Sequence, residues 1–331
     1  MTAPRPPQQQ TDLPPEFAFI RRHFLALAGP AALNLQDDAA VFSPPPGREM
    51  VMAVDTMVEN VHFLPTDPPD TIVRKLLRCN LSDLAAIGSL PQGWLLAFAR
   101  PPHVTDDGVG QFCAGMGEDQ ARFGLGLRGG DTTSTSGPLV LSLTIMGSVL
   151  PGQAIRRCGA RVGDGLWVSG TIGDGALGLR VLQGHVLPDP TGYLAQRYRL
   201  PQPRVGLPLY GLASAAMDVS DGLVQDAGHL ARDNGLHVRI QADSVPLSAP
   251  ARKLGHAWLE TCLTGGDDYE ILFAVPQERE AQLLASPGLP TPYGSVPVTR
   301  IGQFEAGPVG VSVIDGKGQP MRFKAAGWSH L

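Results

Sequence analysis

An α+β chain of two similarly built halves is what this 331-residue sequence predicts, on three observations. Short apolar runs rich in strand-forming residues are interleaved with segments of helical spacing. A pair of short strings recurs in the same order, at nearly the same spacing, in each half. The length suits about two ordinary domains, and 43% hydrophobic against 17% charged residues is enough for packed cores and too apolar for a disordered chain.

Residues 1–13 are rich in Pro and Gln and predict a disordered tail. Phe17, Ile20, Phe24 and Leu27 then recur at helical spacing until Gly29 and Pro30 stop the pattern, which predicts one amphipathic helix. Strands are expected at 50–54, 95–99, 139–149, 166–169 and 271–275. Helices are expected near 70–88, 105–123, 174–184, 221–234 and 277–285. The stretch 151–157 separates the halves, so the expected domains are 14–150 and 151–331.

The repeat rests on particular residues. Ser82-Asp83 opens a helix-like run, and Asp131 of Gly129-Gly130-Asp131 follows Asp83 by 48 positions. Ser220-Asp221 opens another, and Asp267 of Gly265-Gly266-Asp267 follows Asp221 by 46. Asp38 and Asp174 form a weaker third pair, offset by 136 like Asp131 and Asp267. An old duplication is the expectation.

Several classes drop out. A net charge of −5 argues against a general nucleic-acid binder, which needs a basic face. The most apolar stretch, 84–99, is broken by Gly88, Pro91, Gln92 and Gly93, so no membrane span is expected, and the N-terminus shows no apolar core of a signal peptide. Cys79, Cys113, Cys158 and Cys262 are isolated, which predicts reduced, mostly buried thiols in a cytoplasmic protein.

The chemistry-bearing signal is aspartate: Asp37, Asp38, Asp55, Asp83 and Asp131, then Asp218, Asp221, Asp267 and Asp268. Singly, each has a plain structural role as a helix cap or turn residue. Together they exceed what caps and turns need, and clustered carboxylates repel unless a hard, oxygen-seeking cation such as Mg²⁺ or Ca²⁺ lies between them. Gly129-Gly130-Asp131-Thr132-Thr133 adds backbone N–H groups and hydroxyls suited to phosphate. No GxxxxGK[ST] occurs, and only four of the 26 basic residues are lysines, which disfavours P-loop enzymes and protein kinases. Polyphosphate held by magnesium on aspartates, with arginines completing the neutralisation, remains.

The ordered strings LQDDAAVF, VDTMVENVHF, NLSDLAAIG, GGDTT, RRCGARVGDGLWVSGTIGDGALGL, MDVSDGLVQDAGHLA, TGGDDYEILFAVP and GWSH resemble the thiamine-monophosphate kinase family, from about residue 16 to the C-terminus. That family is related to aminoimidazole-ribonucleotide synthetase and selenophosphate synthetase. The resemblance implies two α+β domains of that type, with an N-terminal sheet that pairs with its copy in a homodimer near the nucleotide. It implies transfer of phosphate from ATP to thiamine monophosphate, giving thiamine diphosphate. By position, Asp38, Asp55, Asp83, Asp131, Asp218 and Asp221 would hold several Mg²⁺ ions. Gly130, Asp131, Arg157 and Ser220 would contact ATP, while His62, Asp267 and Trp328 would contact thiamine monophosphate. An aromatic face at Trp328 suits a cationic thiazolium or planar pyrimidine, and Asp267 could balance that positive charge.

The chain departs from the family's pattern at three places: Gln36 stands where a glycine is usual, Ala53-Val54 where hydroxyl residues are usual, and Asp267 where a glutamate is usual. The first two weaken one metal's coordination and the third shifts a substrate contact, but no carboxylate is lost. Two polyanions must meet in such a reaction. Unit charges about 4 Å apart repel by about 4 kcal/mol at an effective dielectric near ~20, so neutralisation and in-line placement are the main demands. The acceptor phosphate has a second pKa of about 6 and is largely dianionic at neutral pH, so no dedicated general base is expected. Two alternatives stand beside this reading. One is another ATP-dependent enzyme of the superfamily; the other is a non-catalytic, carboxylate-rich metal-binding protein.

Overall fold

The computed structural model describes residues 13–185, 189–285 and 288–328, so the expected N-terminal tail, Leu13 apart, and the end of the GWSH string lie outside the described residues. Helix α1 (Pro15–Phe24) starts on Pro15 and carries Phe17, Ile20 and Phe24. It tightens into a 3₁₀ turn over Leu25–Leu27, short of the Gly29-Pro30 stop. A second 3₁₀ segment, Pro30–Leu35, places Leu33, Asn34 and Leu35 at φ of 50°, 58° and 54°.

The N-terminal sheet comprises β1 (Glu49–Val58), β2 (Leu90–Arg100), β3 (Gly126–Ser134) and β4 (Val140–Val149), in the order β1-β4-β2-β3. Only β2 and β3 run parallel. Helices α2 (Pro69–Ile87) and α3 (Asp106–Phe123) cover its inner face. Leu76, Leu77, Leu81, Leu84, Leu141, Leu143 and Ile145 make a core there that water does not reach. Helix α2 ends because Gly88 takes a left-handed φ of 79° and returns its N–H to the carbonyls of Leu84 and Ala85. Thr105 caps α3, its hydroxyl accepting from the Gly108 N–H at 3.1 Å. The outer face keeps Met52 67% and Val54 60% exposed.

The second half is built on β5 (Gly165–Ser169), α4 (Asp174–Leu182), α5 (Tyr193–Arg199), β6 (Ala215–Val219), α6 (Leu223–Asn234) and β7 (His237–Gln241). It continues through α7 (Ala249–Lys253), α8 (Leu259–Thr264), β8 (Glu270–Val275), α9 (Gln277–Ala285), the hairpin β9 (Leu289–Thr291) and β10 (Gly294–Val296), β11 (Val298–Glu305) and β12 (Gly310–Ile314). Its six-stranded sheet runs β12-β7-β11-β5-β8-β6. Strands β5, β6 and β8 are buried at every position, as strands covered on both faces must be. Alternation decides which core each residue joins. Trp167 and Phe273 pack into the core shared with the N-terminal half, whereas Leu166, Val168 and Leu272 pack into the second core under α6. One face of the second sheet thus rests on the first half, and the ends of β1, α2 and β6 meet at that junction.

Gly129-Gly130-Asp131-Thr132-Thr133 forms part of edge strand β3, recruited by pairing with β2 despite the poor strand formers Gly129, Gly130 and Asp131. Gly130 lies so close to β2 that a Cβ there would sit 2.0 Å from the Leu96 carbonyl oxygen. The string pairs fail to fall on equivalent elements. Ser82-Asp83 lies deep within α2 rather than opening a helix, whereas Ser220-Asp221 immediately precedes α6. Gly129–Asp131 is strand, while Gly265–Asp267 is the loop between α8 and β8. Asp38 is exposed; Asp174 is fully buried and receives the hydroxyls of Thr171, Tyr193 and Ser248 at 2.7, 3.1 and 2.5 Å. All four cysteines are free, and only Cys158 is exposed.

Candidate active site

Three aspartates converge where the halves meet: Asp55 from the inner face of β1, Asp83 from α2 and Asp218 from β6. Burial raises the pKa of each, and the Asp218 charge acts on both of the others. Asp55 is pushed up to about 6 by burial and then by the Asp218 charge. Asp83 is pushed up to about 8 by burial, then by Asp218 and Asp55, with Arg157 opposing. Asp218 rises through burial, with the Ser82 hydroxyl and Arg157 pulling the other way and Asp221 adding to the rise. None of the three forms an ion pair among the described residues, and the buried Ser82 hydroxyl lies beside Asp218. Carboxylates without a cationic partner, with a hydroxyl beside them, are an oxygen-only donor set, which fits Mg²⁺.

A second group lies on the other side of the same sheet. Asp131 pairs across β2 and β4 with Ala97, Ser142 and then Thr56, a row exposed on the outer face, and Thr56 donates to the Ser142 hydroxyl at 2.8 Å. Asp55 stands opposite the buried Leu143 on the inner face. β1 and β3 are opposite edges, about 14 Å apart at ordinary strand spacing. The six expected metal-binding aspartates therefore do not form one cluster within the chain. Asp38, Gly130 and Asp131 instead line a cavity of about 850 Å³ between the outer face, α1 and the 32–42 segment, large enough for a nucleotide.

The expected substrate residues are tied together by one the sequence reading passed over. Lys75 of α2, 2% exposed, donates to the His62 carbonyl at 3.0 Å and pairs with Asp267 Oδ1 at 3.2 Å. Its ammonium sits 3.6 Å from the Tyr198 ring centroid, and the Tyr198 hydroxyl also donates to the His62 carbonyl, at 3.3 Å. Burial alone would lower the Lys75 pKa, but the Asp267 carboxylate turns the shift upward, so Lys75 stays charged. Asp267 is thus not a free counter-ion for a cationic ring, because Lys75 already neutralises it. The loop is held tightly: Asp267 has φ +71° with its N–H on the Ser220 carbonyl at 2.9 Å. A Cβ at Gly266 would lie 2.3 Å from that same oxygen. Tyr269 feels both Asp55 and Asp267, so this group and the triad are contiguous. Neighbouring Asp268 serves structure, accepting the Gly173 and Gly175 N–H groups at 2.7 and 3.1 Å.

Trp328, 52% exposed, is anchored by its own N–H on the Asp221 carbonyl at 3.0 Å, and its carbonyl accepts from Gln225. Asp221, Asp226 and His229 present ligand atoms within 4.8 Å of one another. Asp226 is held by the N–H groups of Asp221 and Gly222, both at 3.1 Å. Arg157 is exposed, its carbonyl accepting from Asn234 at 2.9 Å, and its charge reaches Asp83 and Asp218. Lys75, Tyr198, Asp226 and His229 were missed. For Lys75 a signal existed: it is the one lysine in the α2 string, between the apolar pairs Ile72-Val73 and Leu76-Leu77.

Comparison with known proteins follows the same outline. Residues 36–149 match the model for AIR synthase related protein, N-terminal domain, and 161–315 the corresponding C-terminal domain. A thiamine-monophosphate kinase of Caulobacter vibrioides is 43% identical over 96% of this chain and 91% of its own length. The crystal structure of the thiamine-monophosphate kinase from Stenotrophomonas maltophilia superposes with a TM-score of 0.74 at 38% identity, over 87% of this chain and 91% of that one. AaThiL in complex with AMPPCP and TMP gives 0.74 at 30% identity, over 89% and 91%.

Proposed function

The chain belongs to the thiamine-monophosphate kinase family of AIR synthase related proteins, and from that premise we propose how its residues divide the work. It is a kinase that uses ATP to phosphorylate thiamine monophosphate. The acceptor phosphate oxygen forms a bond to the γ-phosphorus while the bond to the β-phosphate oxygen breaks, yielding thiamine diphosphate and ADP. The observation that carries the division is the triad of Asp55, Asp83 and Asp218 at the junction, contiguous through Tyr269 with the Lys75–Asp267–His62 group.

In this reading the triad, with Asp221 beside it, holds Mg²⁺, which when bound supplies charge neutralisation for the transferring phosphate. Asp38, Gly130 and Asp131 receive the nucleotide at the outer cavity, and Arg157 and Ser220 contact its phosphates at the junction. His62, Asp267 and Trp328 frame thiamine monophosphate, with Lys75 locking the first two in place and Trp328 offering its face to the cationic ring. Proton abstraction is not asked of any side chain, since the acceptor is already dianionic.

The outer face, with Met52, Val54 and Leu95 exposed, is where a second copy would pack. A two-fold axis running along the strands would bring the β3 edge of each chain toward the β1 edge of the other, so that one chain's Asp131 serves its partner's triad. No helix among the described residues is long and apolar enough to cross a membrane, and a cytoplasmic homodimer is the setting this reading takes.

The experiment is an assay of purified protein with ATP and thiamine monophosphate, resolving both products. Equal amounts of ADP and thiamine diphosphate, abolished by chelating Mg²⁺, are expected; ADP without thiamine diphosphate would defeat the acceptor assignment. Mixing Asp131→Asn and Asp55→Asn chains, assayed at low ATP where each variant alone is impaired, tests the shared site. Mixed dimers should regain activity toward one wild-type site per dimer, and no recovery would place both groups in one chain's reaction.

A further inference from the structure

A second cavity, of about 130 Å³, lies at the junction of the halves and takes no part in the reaction described above. Its walls are Arg78 of α2, Arg122 and Phe123 at the end of α3, the 202–204 segment and the β9–β10 hairpin. Three guanidinium groups face it, and their charges are only partly met. Arg78 binds Asp119 with both arms, at 2.6 and 2.8 Å, and also donates to the Pro201 carbonyl at 3.1 Å. Asp119 also meets Arg74 at 3.3 Å, but Arg74 has its own partner in Glu118 at 2.8 Å. Arg204 donates to Glu270 through Nε at 2.6 Å and through Nη2, which leaves its Nη1 without a partner among the described residues. Glu270 is shared in turn with Arg197 at 3.2 Å. Arg122 has no ion pair or hydrogen bond among the described residues; it leans on the Phe123 ring, 5.4 Å from the centroid. Tyr293 closes the mouth, its ring 5.2 Å from that of Phe123 in an edge contact.

One guanidinium without an ion pair, the open Nη1 of Arg204 and walls from both halves are what an oxyanion needs. The volume equals that of about four liquid waters, enough for a tetrahedral ion of five heavy atoms and too small for a nucleotide. We propose that this cavity binds a phosphate group, held by Arg122, Arg204 Nη1 and the Gln202 amide, and that the bound anion ties the two halves together. The group is either free inorganic phosphate or the head of a small phosphomonoester. The site is separate from the nucleotide cavity, and neither depends on the other's assignment.

The test is the melting temperature of the full chain, with its active site filled by AMPPCP, thiamine monophosphate and Mg²⁺. Inorganic phosphate or glycerol phosphate is added against sodium chloride at equal ionic strength. At tenfold the dissociation constant the expected rise is about 3 °C. It should vanish in Arg122→Glu, whose exposed position leaves folding and basal turnover intact, and persist in Asp131→Asn. A rise with inorganic phosphate assigns the free ion, and a rise with glycerol phosphate alone assigns the ester; both support the site. No rise in the wild-type chain, or an equal rise in Arg122→Glu, overturns it.

Discussion

The two faces of the N-terminal sheet carry the same residue type in opposite circumstances. On the inner face the half-buried Asp55 and Asp83 and the buried Asp218 have no ion pair among the described residues, and their pKa values are driven upward. On the outer face Asp38 and Asp131 stand in an open cavity, exposed to water. A buried carboxylate without a partner stores unfavourable energy that only a proton or a cation relieves. An exposed one is already solvated, so it contributes when a ligand brings phosphate and metal to it. In the proposed division of work the inner group holds a cation and the outer group recognises a nucleotide.

Replacement is the hardest test of that contrast. Asp218→Asn or Asp55→Asn should lower kcat by about 10²–10³-fold, the range for losing one electrostatic stabiliser, yet leave the metal-free protein at least as stable at pH 8 because a buried charge is gone. Asp131→Asn should act mainly through the KM for ATP and leave metal-free stability unchanged. Equal stability changes for the two variants in thermal unfolding would erase the distinction.

Lys75→Met should cost about 3 kcal/mol, the low end for breaking a buried pair since Asp267 is partly open. It should also raise the KM for thiamine monophosphate more than that for ATP. Denaturant unfolding and steady-state kinetics read the two effects; a stability loss with both KM values unmoved would reduce Lys75 to packing.

Acidity sharpens the comparison further. Asp55 and Asp83 hold protons more tightly folded, at about 6 and about 8, than unfolded, near 3.8. Stability associated with their protonated forms is therefore complete below about 4 and is lost as pH rises through 6 to 8. Metal-free protein should lose stability across that window, and Mg²⁺ should flatten the slope. A slope unaffected by Mg²⁺ would detach the triad from metal binding. The smallest effect is expected of Trp328→Ala. The side chain is half exposed, so stability should hold while the KM for thiamine monophosphate rises about fivefold, the worth of one cation–π contact.

Legibility in the sequence followed local chemistry. Helices α2 and α3 and the strands β1, β4 and β8 show their apolar patterns directly, and the aspartates announce themselves by number. β3 does not, because Gly129, Gly130 and Asp131 have no strand preference and become strand only by pairing with β2. Asp83 looks like a helix cap in isolation but sits inside α2, where its neighbours are chosen by packing against β6 rather than by sequence. Asp267 reads as a bare anion until Lys75, 192 positions earlier, is folded against it.

Residue types and the apolar periods were enough to determine an α+β chain of two halves, and the ordered motifs were enough, by resemblance, to place it in a kinase family. Tertiary structure alone decided which aspartates share a charge and which are kept apart by a sheet. It also decided that one lysine joins His62 to Asp267 and that three arginines ring a cavity between the halves. The reason is physical: covalent sequence sets what each group can do, but burial and through-space distance set the field in which it acts, and both arise only when distant segments pack.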